Sequence, residues 1–172
     1  ENTTLITSYV ECNGHQVQCK NVPVFRFEKK LLDKFGIVLP FTRFGRLLKR
    51  IRWVAAINGG DGFSDIYSTQ TFLGRLPEIN MAMRCKIPLI LLPQTIGPFE
   101  KSSNRVIADR IMHYAGHVFV RDDKFVGELE KMGVKYEITK DLSSYMKPQP
   151  IDIEILPHAV GLNVSGLTYS NT

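Results

Sequence analysis

Trp53-Val54-Ala55-Ala56-Ile57-Asn58-Gly59-Gly60-Asp61-Gly62-Phe63-Ser64-Asp65 is a short apolar run that breaks into a polar, glycine-rich loop. The residues from Trp53 to Ile57 are all apolar and include β-branched members, the composition of a strand buried on both faces of a parallel sheet. Asn58 ends the run. Gly59, Gly60 and Gly62 let backbone N–H groups approach a bound group closely, while Asp61, Ser64 and Asp65 add side-chain oxygens. Open α/β sheets bind ligands at the loops that follow the C-terminal ends of their strands, so the stretch reads as a ligand cradle. The plainer reading is a tight turn, for which glycines are equally suited.

Downstream, the same pattern repeats. Pro77 suits the first position of a helix running through Met81 and Met83 to Cys85. Leu89-Ile90-Leu91-Leu92 is a second apolar run of strand length, ending in Pro93-Gln94-Thr95-Ile96-Gly97-Pro98-Phe99. Ser102 or Ser103 is a candidate N-cap for a helix that stops near Gly116. His117–Val120 is a third strand, and Asp122 or Asp123 is placed to cap a helix to Met132, with Gly133 just past its end. A fourth strand, Val134–Ile138, leads to Asp141. Strand and helix alternate from residue 53 to 141, the pattern of a doubly wound parallel sheet with right-handed crossovers.

Upstream, strands are expected at Thr4–Val10 and Val22–Phe27, joined across the polar turn Cys12–His15, and a helix at Lys29–Phe35. Phe41, Phe44, Leu47, Leu48 and Ile51 follow helical spacing, with Arg43, Arg46, Lys49, Arg50 and Arg52 on the remaining arc. This segment has three readings: a helix packed on the sheet with a solvated charged face, a membrane-surface helix meeting anionic lipid, or a nucleic-acid contact. Neither a recognition motif nor interleaved aromatics accompanies the last. Residues 142–158, with Pro148, Pro150 and Pro157, read as a crossing segment, and Ala159–Gly166 as the first strand and loop of a further unit. The expected division is therefore a domain over 1–157 and the start of a second over 158–172.

The 172 residues suffice for one domain with a core, and 44% hydrophobic with 23% charged content is ordinary for a globular protein. Without a run of roughly 20 apolar residues or the basic-then-apolar layout of a signal peptide, the chain is expected in the cytoplasm, the basic helix allowing contact with the inner face of a membrane. Cys12, Cys19 and Cys85 lack CxxC spacing, and His113/His117 lacks the intervening acid of HExxH, so neither a disulfide framework nor a metal site is expected. The net charge of +5 is local: residues 26–53 carry nine Lys/Arg against two acids, which fits one positive surface better than a domain built around nucleic acid.

In a parallel sheet Asn58–Asp65, Gln94–Gly97, Arg121–Asp123 and Asp141 gather on one edge. Glycine turns, an amide, hydroxyls, a guanidinium and carboxylates there would hold a hydroxyl-rich or anionic ligand, Arg121 suiting carboxylate or phosphate by its planar donor fork. Each has a plainer role as well. Arg121 pairs readily with Asp122 or Asp141, Asp65 with Asp122 and Asp123 makes ordinary helix caps, and Gln94-Thr95 can satisfy loop backbone.

Gly59–Tyr67, Leu91–Phe99, Val120-Arg121-Asp122, Asp141 and Gly161–Gly166 together resemble the polysaccharide pyruvyl transferase family, in order over residues 53–168. The resemblance implies a Rossmann-like parallel sheet flanked by helices, the first domain of a GT-B-like two-domain enzyme with its site in the interdomain cleft. It implies transfer of the pyruvyl group of phosphoenolpyruvate, as co-substrate and without a cofactor, to sugar hydroxyls of a cell-surface polysaccharide or a lipid-linked precursor, as a ketal. Gly59, Gly60, Asp61, Ser64, Asp65, Gln94, Thr95, Gly97 and Asp141 would then position substrate and Arg121 an anionic group, with the general acid and base unassigned. The competing expectations are a nucleotide-sugar glycosyltransferase of GT-B type and a non-catalytic glycan-binding module.

Overall fold

A computed structural model of the chain describes residues 43–147 continuously, together with 5–7, 11–12, 15–16, 24–26, 41, 158 and 160. The first strands are short: β1 (Leu5–Thr7) pairs in parallel with β4 (Val24–Arg26), and β2 (Glu11–Cys12) forms a hairpin with β3 (His15–Gln16). The hairpin falls at the expected polar turn. The expected helix Lys29–Phe35, the stretch 148–157 and, apart from Val160, the unit Ala159–Gly166 lie outside the described residues, as does most of the 158–172 division.

From residue 43 the order is α1 (Arg43–Leu48), β5 (Val54–Ala56), α2 (Thr69–Gly74), α3 (Pro77–Arg84), β6 (Leu89–Gln94), α4 (Ser102–Tyr114), β7 (His117–Val120), α5 (Val126–Lys131) and β8 (Glu137–Ile138). A single 3₁₀ turn, Leu142–Tyr145, follows. The four strands β5-β6-β7-β8 form one sheet, all parallel and in chain order. The sequence pattern predicts a doubly wound sheet; among the described residues these four strands are added in one direction, as in one half of such a sheet. Periodicity reports alternation and not the side on which each new strand is added. With right-handed crossovers, a monotonic order places the connecting helices on one face.

Burial agrees with that geometry. Leu89, Leu91, Val118 and Val120 point to one side and are at most 3% exposed, and they share a core with Phe72 of α2, Ile79, Met81 and Ala82 of α3, Ala108, Ile111 and Met112 of α4, and Leu129 of α5. On the other face the aligned residues Ala55, Ile90 and His117 are exposed, half-buried and exposed. β5 is thus not buried on both faces as its composition suggested; Trp53 and Ile57 at its ends are about half exposed.

β6 carries the feature that shapes the site. Pro93 offers no N–H to the ladder, and the β6–β7 register shifts between Leu91 and Gln94. Strict alternation would turn Gln94 away from the core, yet Pro93 and Gln94 are both buried, Gln94 completely. The irregularity swings an amide inward at the strand's C-terminal end.

Helix ends follow the sequence in part. Pro77 begins α3, and Gly133 takes the left-handed conformation after α5. Ser102 and Ser103 are the first helical residues of α4 rather than its cap; Lys101 holds that position with no side-chain cap of its own. α5 starts at Val126 with no side-chain cap, and Asp122 accepts instead from the Thr95 hydroxyl and from Lys124 N–H.

Candidate active site

The loop after β5 is laced to the loop after β6. Asn58 N–H donates to Gln94 Oε1 at 2.9 Å, Thr95 N–H to Gly60 O at 2.7 Å and Gly97 N–H to Phe63 O at 2.9 Å. Asn58 Nδ2 also donates to Arg75 O, and Arg75 Nη1 returns a bond to Asn58 O. Beneath them Phe63, Phe72 and Phe99 meet edge to face, with centroids 5.6–6.0 Å apart. The polar loops therefore rest on an apolar floor.

Two glycines are required by sterics. Gly60 has φ +76°, and a Cβ on it would meet Arg121 Nη1 at 3.2 Å. A Cβ on Gly62 would lie 1.7 Å from Asn58 O and 2.0 Å from Arg75 Nη1, so no side chain fits that turn. Gly59 is also left-handed, but its side faces open space. The N–H groups of Gly59 and Gly60 have no acceptor among the described residues.

The loops after β6 and β7 and the segment after β8 converge on Arg121. Its Nε donates to Thr95 Oγ1 at 3.0 Å and its Nη1 to Asp141 Oδ2 at 2.9 Å, with Asp122 Oδ2 3.6 Å from Nε. Thr95 in turn donates its hydroxyl proton to Asp122 Oδ2. Ser143 N–H donates to Asp141 Oδ1, and Ser143 first, then Arg121, hold the Asp141 carboxyl down at about 2. Arg121 Nη2 has no partner among the described residues. Asp61, Asp122, Asp123 and Asp141 lie on the loops round this guanidinium, while Arg75, Lys124 and Lys140 also lie on or against these loops, so the edge carries both signs of charge.

Asp61 is half-buried. Tyr67 donates its hydroxyl to Asp61 Oδ2 at 2.6 Å, which leaves Oδ1 unpartnered among the described residues. That hydrogen bond is the main cause of a raised Tyr67 pKa, so the phenol stays a donor. Ser64 donates its hydroxyl to Asp61 O at 2.6 Å.

Asp65 sits differently. It is 7% exposed, and its oxygens accept Glu100 N–H, Lys101 N–H and Asn104 Nδ2 at 2.8–3.1 Å. The carboxylate thus caps the N-terminus of α4 from a distant loop, where the helix dipole favours negative charge. Burial opposes its charge, but the bonds from Asn104, Glu100 and Lys101 outweigh it and the pKa is lowered.

All ten residues singled out as substrate-binding (Gly59, Gly60, Asp61, Ser64, Asp65, Gln94, Thr95, Gly97, Arg121 and Asp141) are in this interlocked group of loops. Buried Gln94 serves Asn58 through Oε1, while its Nε2 is the one buried side-chain polar atom without a partner among the described residues. Tyr67, Arg75 and Asn104 also hold these loops, though they are not among the candidate site residues the sequence offers. Asn104 and Arg75 act across 39 and 17 residues of chain and leave no local pattern; Tyr67 lies on the same short loop as Asp61 and was open to notice. Among the described residues no group of three or more His, Cys, Asp or Glu has the arrangement to hold a metal ion.

Neither the curated proteins nor the solved structures contain a match to the chain. The family model described as polysaccharide pyruvyl transferase matches residues 20–164, which takes in α1, every loop of this edge and most of the chain. The four loops of this edge lie within that span, and the chain belongs to the polysaccharide pyruvyl transferase family.

Proposed function

We propose that this edge forms one wall of a site where the pyruvyl group of phosphoenolpyruvate is transferred to two hydroxyls of a sugar in a cell-surface polysaccharide or its precursor. In that reaction the enol carbon takes a proton, one sugar oxygen bonds to C2, and a second displaces phosphate to close the ketal. The two hydroxyl protons leave as the bonds form, one replacing that delivered to carbon and one leaving with phosphate.

The observation that supports this reading is the convergence of four loops, tied by Thr95–Gly60, Asn58–Gln94 and Arg121–Asp141 hydrogen bonds, inside the matched family span. Asp61 Oδ1 and exposed Asp123 are acceptors suited to sugar hydroxyls, and the N–H groups of Gly59 and Gly60 are donors. Arg121 has only Nη2 left for an anionic group of the donor. With Arg121 largely engaged by Thr95 and Asp141, much of the cationic charge that a phosphate and a carboxylate require comes from groups other than Arg121.

Phosphate release measured with phosphoenolpyruvate and oligosaccharide acceptors tests the reading. Acceptor-dependent release, with a ketal-linked product by mass, is the expected result. Nucleotide release from a nucleotide sugar would instead favour the GT-B glycosyltransferase, and glycan binding without turnover of either donor would favour a binding module.

A further inference from the structure

α1 is turned so that its two sides do different work. Leu48 is 6% exposed and joins the core, while Arg46, Lys49 and Arg50 are exposed, and the helical turn continues to Ile51 through Arg50 N–H to Leu47 O and Ile51 N–H to Leu48 O. Positions 46, 49 and 50 are three and four apart and share a face. Arg52 is exposed as well.

No acid occurs between residues 41 and 60, and none of these four side chains makes an ion pair with a described residue. Two aromatic side chains flank the cations: Phe41 is 87% exposed and Trp53 is 55% exposed. Water is a poor partner for both rings. Cations flanked by exposed aromatics match a bilayer interface, where anionic headgroups attract Lys and Arg and the rings sit at headgroup level.

We propose that Phe41, Arg46, Lys49, Arg50, Arg52 and Trp53 form a surface that binds peripherally to an anionic phospholipid bilayer. The polarity of the molecule orients the contact. Arg52 and Trp53 lie at the N-terminal end of β5, whereas Asp61 and the other edge carboxylates follow the C-terminal ends of the strands. A negative surface attracts the first end, so the candidate site, at the opposite end of the strands, faces away from the headgroups. No helix among the described residues is long and apolar enough to cross a membrane, and the surface proposed requires none.

Trp53 is the only tryptophan, so its emission reports directly on this surface. The purified chain is titrated with phosphatidylcholine–phosphatidylglycerol vesicles and with pure phosphatidylcholine vesicles, at low and high salt, with co-sedimentation in parallel. Binding and a blue shift on the anionic vesicles only, weakened by salt, are expected. The triple variant Arg46→Glu, Lys49→Glu, Arg50→Glu should bind at least about a hundredfold more weakly, and the matching Gln variants less severely, with unchanged far-ultraviolet circular dichroism showing that the fold is retained. Absence of binding to anionic vesicles, binding that the triple variant keeps, or a Trp53 shift on single-stranded RNA with none on vesicles would each overturn the proposal. No substrate is used, so the outcome is independent of the pyruvyl-transfer reading.

Discussion

Gly62 illustrates how much of this site is decided by single atoms. A methyl group there would overlap Asn58 O and the Arg75 guanidinium, whose mutual bonds hold the start of the loop. Gly62→Ala is predicted to cost on the order of 3 kcal/mol and to lower the melting temperature by roughly 10 °C. Gly59→Ala, left-handed but facing open space, should cost only about 1 kcal/mol. Thermal unfolding of the two variants side by side checks the contrast. Both glycines look alike in the sequence, since what separates them is the partner brought against each by the fold.

Asp65 makes a prediction about pH. Its folded-state pKa lies below its ordinary value, and so does that of Asp141, held at about 2. A carboxylate of lowered pKa stabilises the fold fully above its unfolded pKa of about 4 and ceases to do so as pH falls through the folded value. The melting temperature should therefore be level through the mildly acidic range and drop below about pH 4. Asp65→Asn should flatten that acid limb, measured by unfolding across pH.

At the scale of elements, α4 depends on a residue 37 positions before its first turn. Asp65→Ala should free the Glu100 and Lys101 amides, seen as faster hydrogen exchange at the start of α4 with the exchange of Ile111 and Met112 much less affected, and should cost about 2 kcal/mol. Gln94→Leu should be comparably costly, since it leaves the Asn58 N–H buried without its acceptor. The sequence marked these elements unevenly. Leu89–Leu92 and the helix begun by Pro77 were legible because apolar runs and proline act locally. The Ser102 cap was misplaced because the true capping group is Asp65, and the inward turn of Gln94 was hidden because an irregular strand breaks the alternation that sequence reading assumes.

At the scale of the molecule, alternation from residue 53 to 141 specified a parallel α/β sheet, and the rule that its loops share one edge was enough to assemble the candidate site. The order of the strands was not legible, because each β-α-β unit obeys the same local rules whichever side the next strand joins. Of the two readings open for Arg121, an anion receptor or a partner of Asp122 or Asp141, the fold realises the pairing with Asp141 and sets the guanidinium beside Asp122. The run of exposed cations without an intervening acid lies at the other end of β5. The result is a molecule with a carboxylate-bearing, hydroxyl-compatible edge and a basic, aromatic-flanked end.

The measurement that most directly tests the four-loop edge as the site of transfer is backbone amide chemical-shift mapping of the isotope-labelled chain, titrated separately with phosphoenolpyruvate and with a neutral oligosaccharide. The account predicts saturable shifts centred on Gly59, Gly60, Asp61, Thr95 and Asp122 for the oligosaccharide, with phosphoenolpyruvate acting nearest Arg121. Shifts centred elsewhere, or no shifts from either ligand in the folded chain, would contradict it.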